Sequence, residues 1–454
     1  MRSIGKDVCA LTASALLMRL IGVFYQSWLA RRIGASGVGL WQLVQSVNVL
    51  SVTLAVSGIR FTATRLVSEE LGASECGSAG GAVGRCAVYA VSFGCAACLL
   101  TFFGAQPIGF LWIGDARSVE CIRVFSFALP LISLSSVLNG FFVAKGEAWK
   151  CALIQFLEQL VNVSAVMLLL RSVPGGDLAR SCAAIARGNL IADAASVCLC
   201  LTFYALSPPS GNRVGAAGLT GRMLRIALPL AVSAYARTGL NTLEHLLVPR
   251  KLRQSGLSAD EALGGYGTVT GMVFPLLFFP TCLLGAVAEL TVPELTAAQM
   301  RGDRGFIRAT VRKRLRLTAA FSLAVAVFSL LCADALAGLL YHDAQVAKWL
   351  RRLAPLIPVM YLDIVTDGCL TGLGEMMRSM RYNVGEALLG LGLVVTLLPR
   401  YAMNGYLVTL YCCELWNFAL SFKRLRKVTG LNTFGHENRK FLHAKNGTTS
   451  MGDV

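Results

Sequence analysis

Six ionisable side chains in or at the ends of long apolar runs define the chemistry open to this chain. Arg19 and Arg237 each lie well inside a run, and Arg65 follows the end of another. Glu158, Glu244 and Asp363 are carboxylates in similar settings. A charge at mid-bilayer is costly, so it normally faces a polar cavity rather than lipid. Arg237, Asn241 and Glu244 are spaced i, i+4, i+7, which puts all three on one helical stripe. Gln155 and Gln159 share a helix face, and Glu158 neighbours both. Asp363 is followed at i+4 by Asp367. Arginine suits planar, bidentate recognition of phosphate, which makes Arg19, Arg65, Arg237 and Asn241 candidates for binding a pyrophosphate-bearing amphiphile. Carboxylates in the same setting suit a cation, so Glu158, Glu244 and Asp363 are candidates for coupling to Na+ or H+. Both signs are present, and charge alone admits either cargo. Arg187, Glu289, Asp334 and Glu386 lie near run ends, where such groups are expected to reach the interface.

The elements that must position these groups are membrane helices. An α-helix of about 20 apolar residues crosses a bilayer core of about 30 Å. Helices are expected over residues 8–30, 38–56, 85–103, 124–143, 151–170, 183–206, 223–248, 266–290, 317–340, 353–373, 384–398 and 406–422. The fold class is an all-α polytopic membrane protein with about 12 transmembrane helices. A basic loop followed by Gly39, in a run ending at Gly58, has a counterpart in Arg250 and Lys251, Gly265 and Gly285. Such duplication is the mark of transporters built from repeats, with the site near mid-membrane. The expected organisation is an N-terminal six-helix lobe over 1–207, a cytoplasmic linker over 208–222, a C-terminal six-helix lobe over 223–422 and a basic cytoplasmic tail over 423–454, the two pseudo-symmetric lobes enclosing a central cavity.

Composition excludes several classes. Of 454 residues 55% are hydrophobic and 15% charged, against about 25% charged in soluble domains. The net charge of +17 reads as topology rather than nucleic-acid binding. With the N-terminus in the cytoplasm, about 26 Lys and Arg fall in cytoplasmic segments and about 13 on the other side. Both termini are therefore expected inside, and the first run is expected to be an uncleaved helix. Most of the 15 cysteines lie in apolar runs, Cys95 and Cys98 included, and read as small hydrophobes. There is no GxxxxGK[ST] loop, no HExxH and no nucleophile with a base and an orienter. The chain reads as a non-enzyme without a metal or organic cofactor.

The motifs themselves resemble a known family. Arg19-Leu20-Ile21-Gly22, followed by Leu29-Ala30-Arg31-Arg32-Ile33-Gly34-Ala35-Ser36-Gly37-Val38-Gly39-Leu40-Trp41-Gln42, is similar to the start of polysaccharide biosynthesis flippases of the stage V sporulation protein B-like branch. Ser57-Gly58-Ile59 through Arg65, with Val67, Glu69 and Glu70, resembles that family's end of helix 2. So do Leu247-Val248-Pro249-Arg250, the stretch from Gly264 to Met272, Thr291-Val292-Pro293-Glu294, Met403-Asn404-Gly405-Tyr406 and Glu414-Leu415-Trp416-Asn417 in their places. The resemblance covers roughly residues 5 to 428, and the order of the motifs makes it specific.

The resemblance implies the multidrug/oligosaccharidyl-lipid/polysaccharide (MOP) exporter superfamily, which includes lipid II flippases. It implies a bacterial plasma-membrane protein moving a polyprenyl-pyrophosphate-linked saccharide by alternating access, with membrane lipids, glycosyltransferases or cell-wall synthesis proteins as partners. Arg19 and Arg65 match cationic positions of helices 1 and 2 that line the cavity in lipid II flippases. The sequence departs from the pattern in lacking a helix 8 arginine, for which Arg237 is the candidate substitute. Ile59 stands where a proline is usual, and about 12 helices stand where the branch often has 14. Two alternatives come with the superfamily: an ion-coupled multidrug or cation antiporter, and a transport-inactive membrane scaffold.

Overall fold

The computed structural model describes residues 2–72, 79–174, 176–207 and 218–430, all of its regular structure helical. The side chains of residues 2–15, 72, 286 and 288–290, Glu289 among them, lie outside that description, as do residues 208–217 of the expected linker and 431–454 of the expected tail.

The first half contains α1 (Arg2–Val56), α2 (Ile59–Gly72), α3 (Ala79–Pro107), α4 (Val119–Ser126), α5 (Ala128–Ala144), α6 (Ala148–Arg171) and α7 (Leu178–Leu206). A π-helical turn, Ile108–Ile113, extends α3. The second half contains α8 (Leu219–Gln254), α9 (Ala259–Gly267), α10 (Phe274–Phe278), α11 (Thr281–Met300), α12 (Arg304–Leu331), α13 (Ala333–Leu340), α14 (Ala344–Leu353), α15 (Ile357–Gly372) and α16 (Met376–Thr429). A π-helical segment, Thr268–Val273, joins α9 to α10.

Two of these helices are each broken by a kink inside. In α1 the backbone leaves helical geometry at Gly34 (φ 72°, ψ 172°), a conformation that costs a residue without Cβ little. In α16 the break is at Ala402 (φ 49°, ψ −131°). The expected helix over 384–398 is accordingly longer, starting at Met376, and the expected tail begins inside α16. The expected helix over 266–290 is instead broken into α9, the π segment, α10 and α11, with Pro275 at the start of α10.

Among the described residues, seven helices are long and apolar enough to cross a membrane. They number eight if the pair bent by 43° at α4 and α5 forms one span. The chain is a multi-pass membrane protein. Although long enough at 36 residues, α8 is not among these spans, because Arg237, Asn241 and Glu244 interrupt its apolar run. A helix of that length and polarity must turn its polar stripe to something other than lipid.

The chain forms two compact units. The first comprises Met1–Cys282, Ser329–Ala354 and Ala387–Leu410, and the second Leu283–Phe328, Pro355–Glu386 and Tyr411–Val454. In the first, Phe141 and Phe142 of α5 are fully buried with Ile59 and Leu66 of α2, Cys86 of α3 and Cys200 of α7. The second half of α1 runs antiparallel to α8. Thr242 Oγ1 donates to the Ser46 carbonyl at 3.1 Å, Thr53 Oγ1 to Thr238 Oγ1 at 3.4 Å, and Ser57 Oγ bonds the Tyr235 hydroxyl. In the second unit, α11 and α15 meet where Thr296 Oγ1 donates to the Gly372 carbonyl at 2.9 Å.

Candidate functional site

Arg237 falls at the middle of α8 and is exposed, with no ion-pair partner among the described residues. Asn241, one turn on, is exposed, and Glu244 is half-buried. The predicted stripe is therefore real as a helix face. Its Glu244 end is packed against the backbone of Gly390 in α16, where a Cβ would come within 2.6 Å of Glu244 Oε1. Close by, the Tyr266 hydroxyl and His245 Nδ1 are 3.0 Å apart, and the Tyr266 and Tyr406 rings lie 6.5 Å apart.

Arg19 is exposed near the middle of the α1 segment that ends at the Gly34 break. It lies two turns before Gln26 on the same stripe, and Gln26 Nε2 donates to the Gly271 carbonyl of the π segment at 2.9 Å. No ion pair among the described residues neutralises Arg19.

Arg65 is held differently. Its Nε contacts Glu69 Oε1 at 3.0 Å within α2. Glu69 also pairs with Arg222 at the start of α8, and Arg222 Nη1 reaches Glu70 Oε1 at 3.1 Å. Arg85 Nη1 donates to Thr220 Oγ1 at 2.8 Å, so α2 and α3 both grip the first turn of α8. No hydrogen bond or ion pair among the described residues joins Arg19, Arg65 and Arg237 to one another.

Glu158 belongs to a polar ladder between α6 and α7. It hydrogen-bonds Ser196, and its charge acts on Asp193. One turn along, Asn162 Nδ2 donates to Asn189 Oδ1 at 2.8 Å. The partners Asn189, Asp193 and Ser196 are legible only as i, i+4 and i+7 polar positions of α7; Asn162 stands at i+4 from Glu158.

Asp363 lies in the second unit, on α15. Asn417 Nδ2 donates to Asp363 Oδ2 at 3.2 Å and to Asn383 Oδ1 at 3.0 Å. Ser379 Oγ donates to Asp367 Oδ1 at 2.8 Å. Asp363 Oδ1 and Asn417 Oδ1 are buried without a hydrogen-bond donor among the described residues. Two orphaned acceptors are costly to bury, and a proton or a cation would relieve them. Asn417 was visible in the sequence only as part of a family motif, and Asn383 carried no signal.

Arg187 pairs with Glu120 of α4 at 2.5 Å and Asp334 with Arg351 of α14, and both pairs are exposed.

These features sit on a chain whose residues 4–274 match the model of the polysaccharide biosynthesis protein family. The chain belongs to that family. Residues 254–396 also match the MatE family, in keeping with a transporter of the MOP superfamily. The chain is 22% identical over 414 residues to stage V sporulation protein B of Bacillus subtilis (strain 168), covering 88% of this chain and 78% of that protein. It is 18% identical over 401 residues to sporulation protein YkvU of the same organism, covering 86% and 87%. Its fold is similar to that of a MATE family multidrug resistance transporter of the MOP superfamily solved in an inward-facing conformation. The TM-score is 0.71 at 14% identity, covering 93% of this chain and 99% of that one.

Proposed function

We propose that this transporter is a flippase for a polyprenyl-pyrophosphate-linked saccharide, a cell-wall or polysaccharide precursor of the lipid II kind. The observation that carries this reading is Arg237, an exposed guanidinium without an ion-pair partner among the described residues, at the centre of a helix long enough to span the bilayer. Arg19 adds a second such charge on α1. A pyrophosphate headgroup would neutralise both through bidentate contacts, while the polyprenyl tail stays in lipid. Asn241 would donate to the same headgroup. Arg65 would meet the cargo at the helix end, exchanging its Glu69 partner for phosphate. Both termini would lie in the cytoplasm, on the side rich in Lys and Arg. A labelled polyprenyl-pyrophosphate saccharide in proteoliposomes tests the reading: wild-type protein moves it between leaflets, and Arg237→Ala does not. Transport by Arg237→Ala at the wild-type rate would remove the basis of the proposal.

A second reading, an ion-coupled antiporter for drugs or cations, is favoured by Asp363 Oδ1 and Asn417 Oδ1, two acceptors buried without a donor among the described residues of the second unit. In that case Glu158, Glu244 and Asp363 would bind the coupling Na+ or H+. Export of a cationic dye lost in Asp363→Asn, with no lipid-linked saccharide moved by wild type, would select it over the flippase.

A further inference from the structure

Near the C-terminal end of α8, Arg250 borders an apolar cleft of about 270 Å3. Leu50 of α1, Leu243, Leu246 and Leu247 of α8, and Trp112 of the first π turn form most of its walls. Leu246 is buried, while Leu243 and Trp112 keep 49% and 47% of their surface exposed. Gly239 leaves bare helix at one end of the cleft, and a Cβ there would meet open space. Phe110 and Leu111, beside Trp112, are exposed too. In a membrane protein such a surface meets acyl chains, and Trp is the residue that marks the headgroup level.

The rim has the opposite chemistry. Arg250 is exposed, and Arg253, one turn on, donates Nη1 to the Gly114 carbonyl at 3.3 Å. The Arg253 Nε–H is buried with no acceptor. Lys251 Nζ reaches only Gln254 Oε1, at 3.1 Å. None of the three has an acidic partner among the described residues, and the nearby Asp115 is already engaged by Arg117 at 2.7 Å. An apolar slot with an unneutralised cationic rim is complementary to an anionic amphiphile.

We infer that this cleft binds one anionic glycerophospholipid of the surrounding bilayer. One acyl chain lies against Leu50, Leu243, Leu246 and Trp112, and the phosphate sits on Arg250. The position of the charged rim favours a resident lipid over transported cargo. Arg250 is about 20 Å along the axis of α8 from Arg237, at the helix end, whereas transport sites lie near mid-membrane. The inference does not depend on which cargo the transporter moves.

Native mass spectrometry of the purified full chain, delipidated in detergent and titrated with phosphatidylglycerol or phosphatidylcholine, tests it. Wild type retains one phosphatidylglycerol, preferred about tenfold, as one charge-assisted contact supports. Arg250→Gln brings the two lipids to parity. Gly239→Leu fills the slot and lowers occupancy by both, while its better helix propensity keeps the protein folded. Equal retention of both lipids by wild type, or unchanged binding by Gly239→Leu, would overturn the inference. Retention of a polyprenyl phosphate in place of equimolar phosphatidylglycerol would assign the cleft to cargo and overturn it as well.

Discussion

Gly39 of α1 and Gly267 of α9 face each other so closely that neither position can carry a side chain. A Cβ on Gly39 would run into the Leu263 carbonyl and come within 3.3 Å of the Gly267 nitrogen; one on Gly267 would lie 2.7 Å from Gly39 Cα. Interiors this tight relax poorly, and overpacking costs about 1–3 kcal/mol or more. Gly39→Ala and Gly267→Ala are each expected to lower the thermal midpoint in detergent. Gly22→Ala, where a Cβ meets open space, is expected to leave it unchanged.

Arg65 separates a structural role from a functional one. Its pair with Glu69 is exposed, with 57% and 37% of the two side chains accessible, so the pair contributes about 0–1 kcal/mol. Arg65→Ala should therefore express and unfold like wild type, while transport of the saccharide falls sharply. Arg222→Ala removes both contacts that tie α8 to Glu69 and Glu70 and should loosen the start of α8. Faster hydrogen exchange over residues 219–226 in that variant, and wild-type exchange in Arg65→Ala, is the expected pattern.

Lys150 is a buried cation held by other means. Its Nζ lies 2.6 Å from Glu147 Oε2 and 2.9 Å from Ser207 Oγ, within 5.8 Å of the Phe142, Trp149 and Phe203 ring centroids. Lys150→Ala should cost about 1–3 kcal/mol, measured by denaturation, since Glu147 keeps partial contact with water. The Lys150 ammonium paired with Glu147 holds its carboxyl below the ordinary carboxylate range. A carboxyl depressed on folding contributes stability that is present above its unfolded pKa and is lost as pH falls through the folded one. Wild type should thus lose its advantage over Glu147→Gln on acidification through and below the usual carboxylate range, and keep it at neutral pH.

The carboxylates give a prediction about coupling. Glu158, with Ser196 and Asp193, and Asp363, with Asn417, occupy separate polar clusters. Glu158→Gln and Asp363→Asn should each leave binding of a polyprenyl-pyrophosphate saccharide intact while weakening the response of transport to an imposed Na+ or H+ gradient. Titration of binding alongside gradient-jump assays in proteoliposomes checks both halves.

Hydrophobic run length revealed the all-helical membrane fold, and the α8 stripe followed from a simple i, i+4, i+7 count at Arg237, Asn241 and Glu244. The duplication signal marked Gly39 and Gly265, but the residue that Gly39 meets is Gly267, because only the packed helices decide which glycine of a glycine-rich turn comes nearest. The gap between the expected helices 384–398 and 406–422 marked a break, but not its placement at Ala402, since an alanine at φ 49° is imposed by tertiary context rather than by propensity. Ser57, at φ 48°, was visible as a helix end only because Gly58 follows. The partners of the site charges were hidden for the same reason. Arg222 with Glu69, and Asn417 with Asp363, are far apart in sequence, and pattern within one helix says nothing of what faces it.

The proposed flippase function requires Arg19 of α1 and Arg237 of α8, neither ion-paired among the described residues, to hold a pyrophosphate headgroup. The most direct measurement is leaflet-to-leaflet movement of a labelled polyprenyl-pyrophosphate saccharide in proteoliposomes, comparing wild type with Arg19→Ala and Arg237→Ala at matched reconstitution. Wild type is expected to move it and both variants to lose movement, with thermal midpoints unchanged. Movement by both variants at the wild-type rate would contradict the proposed function.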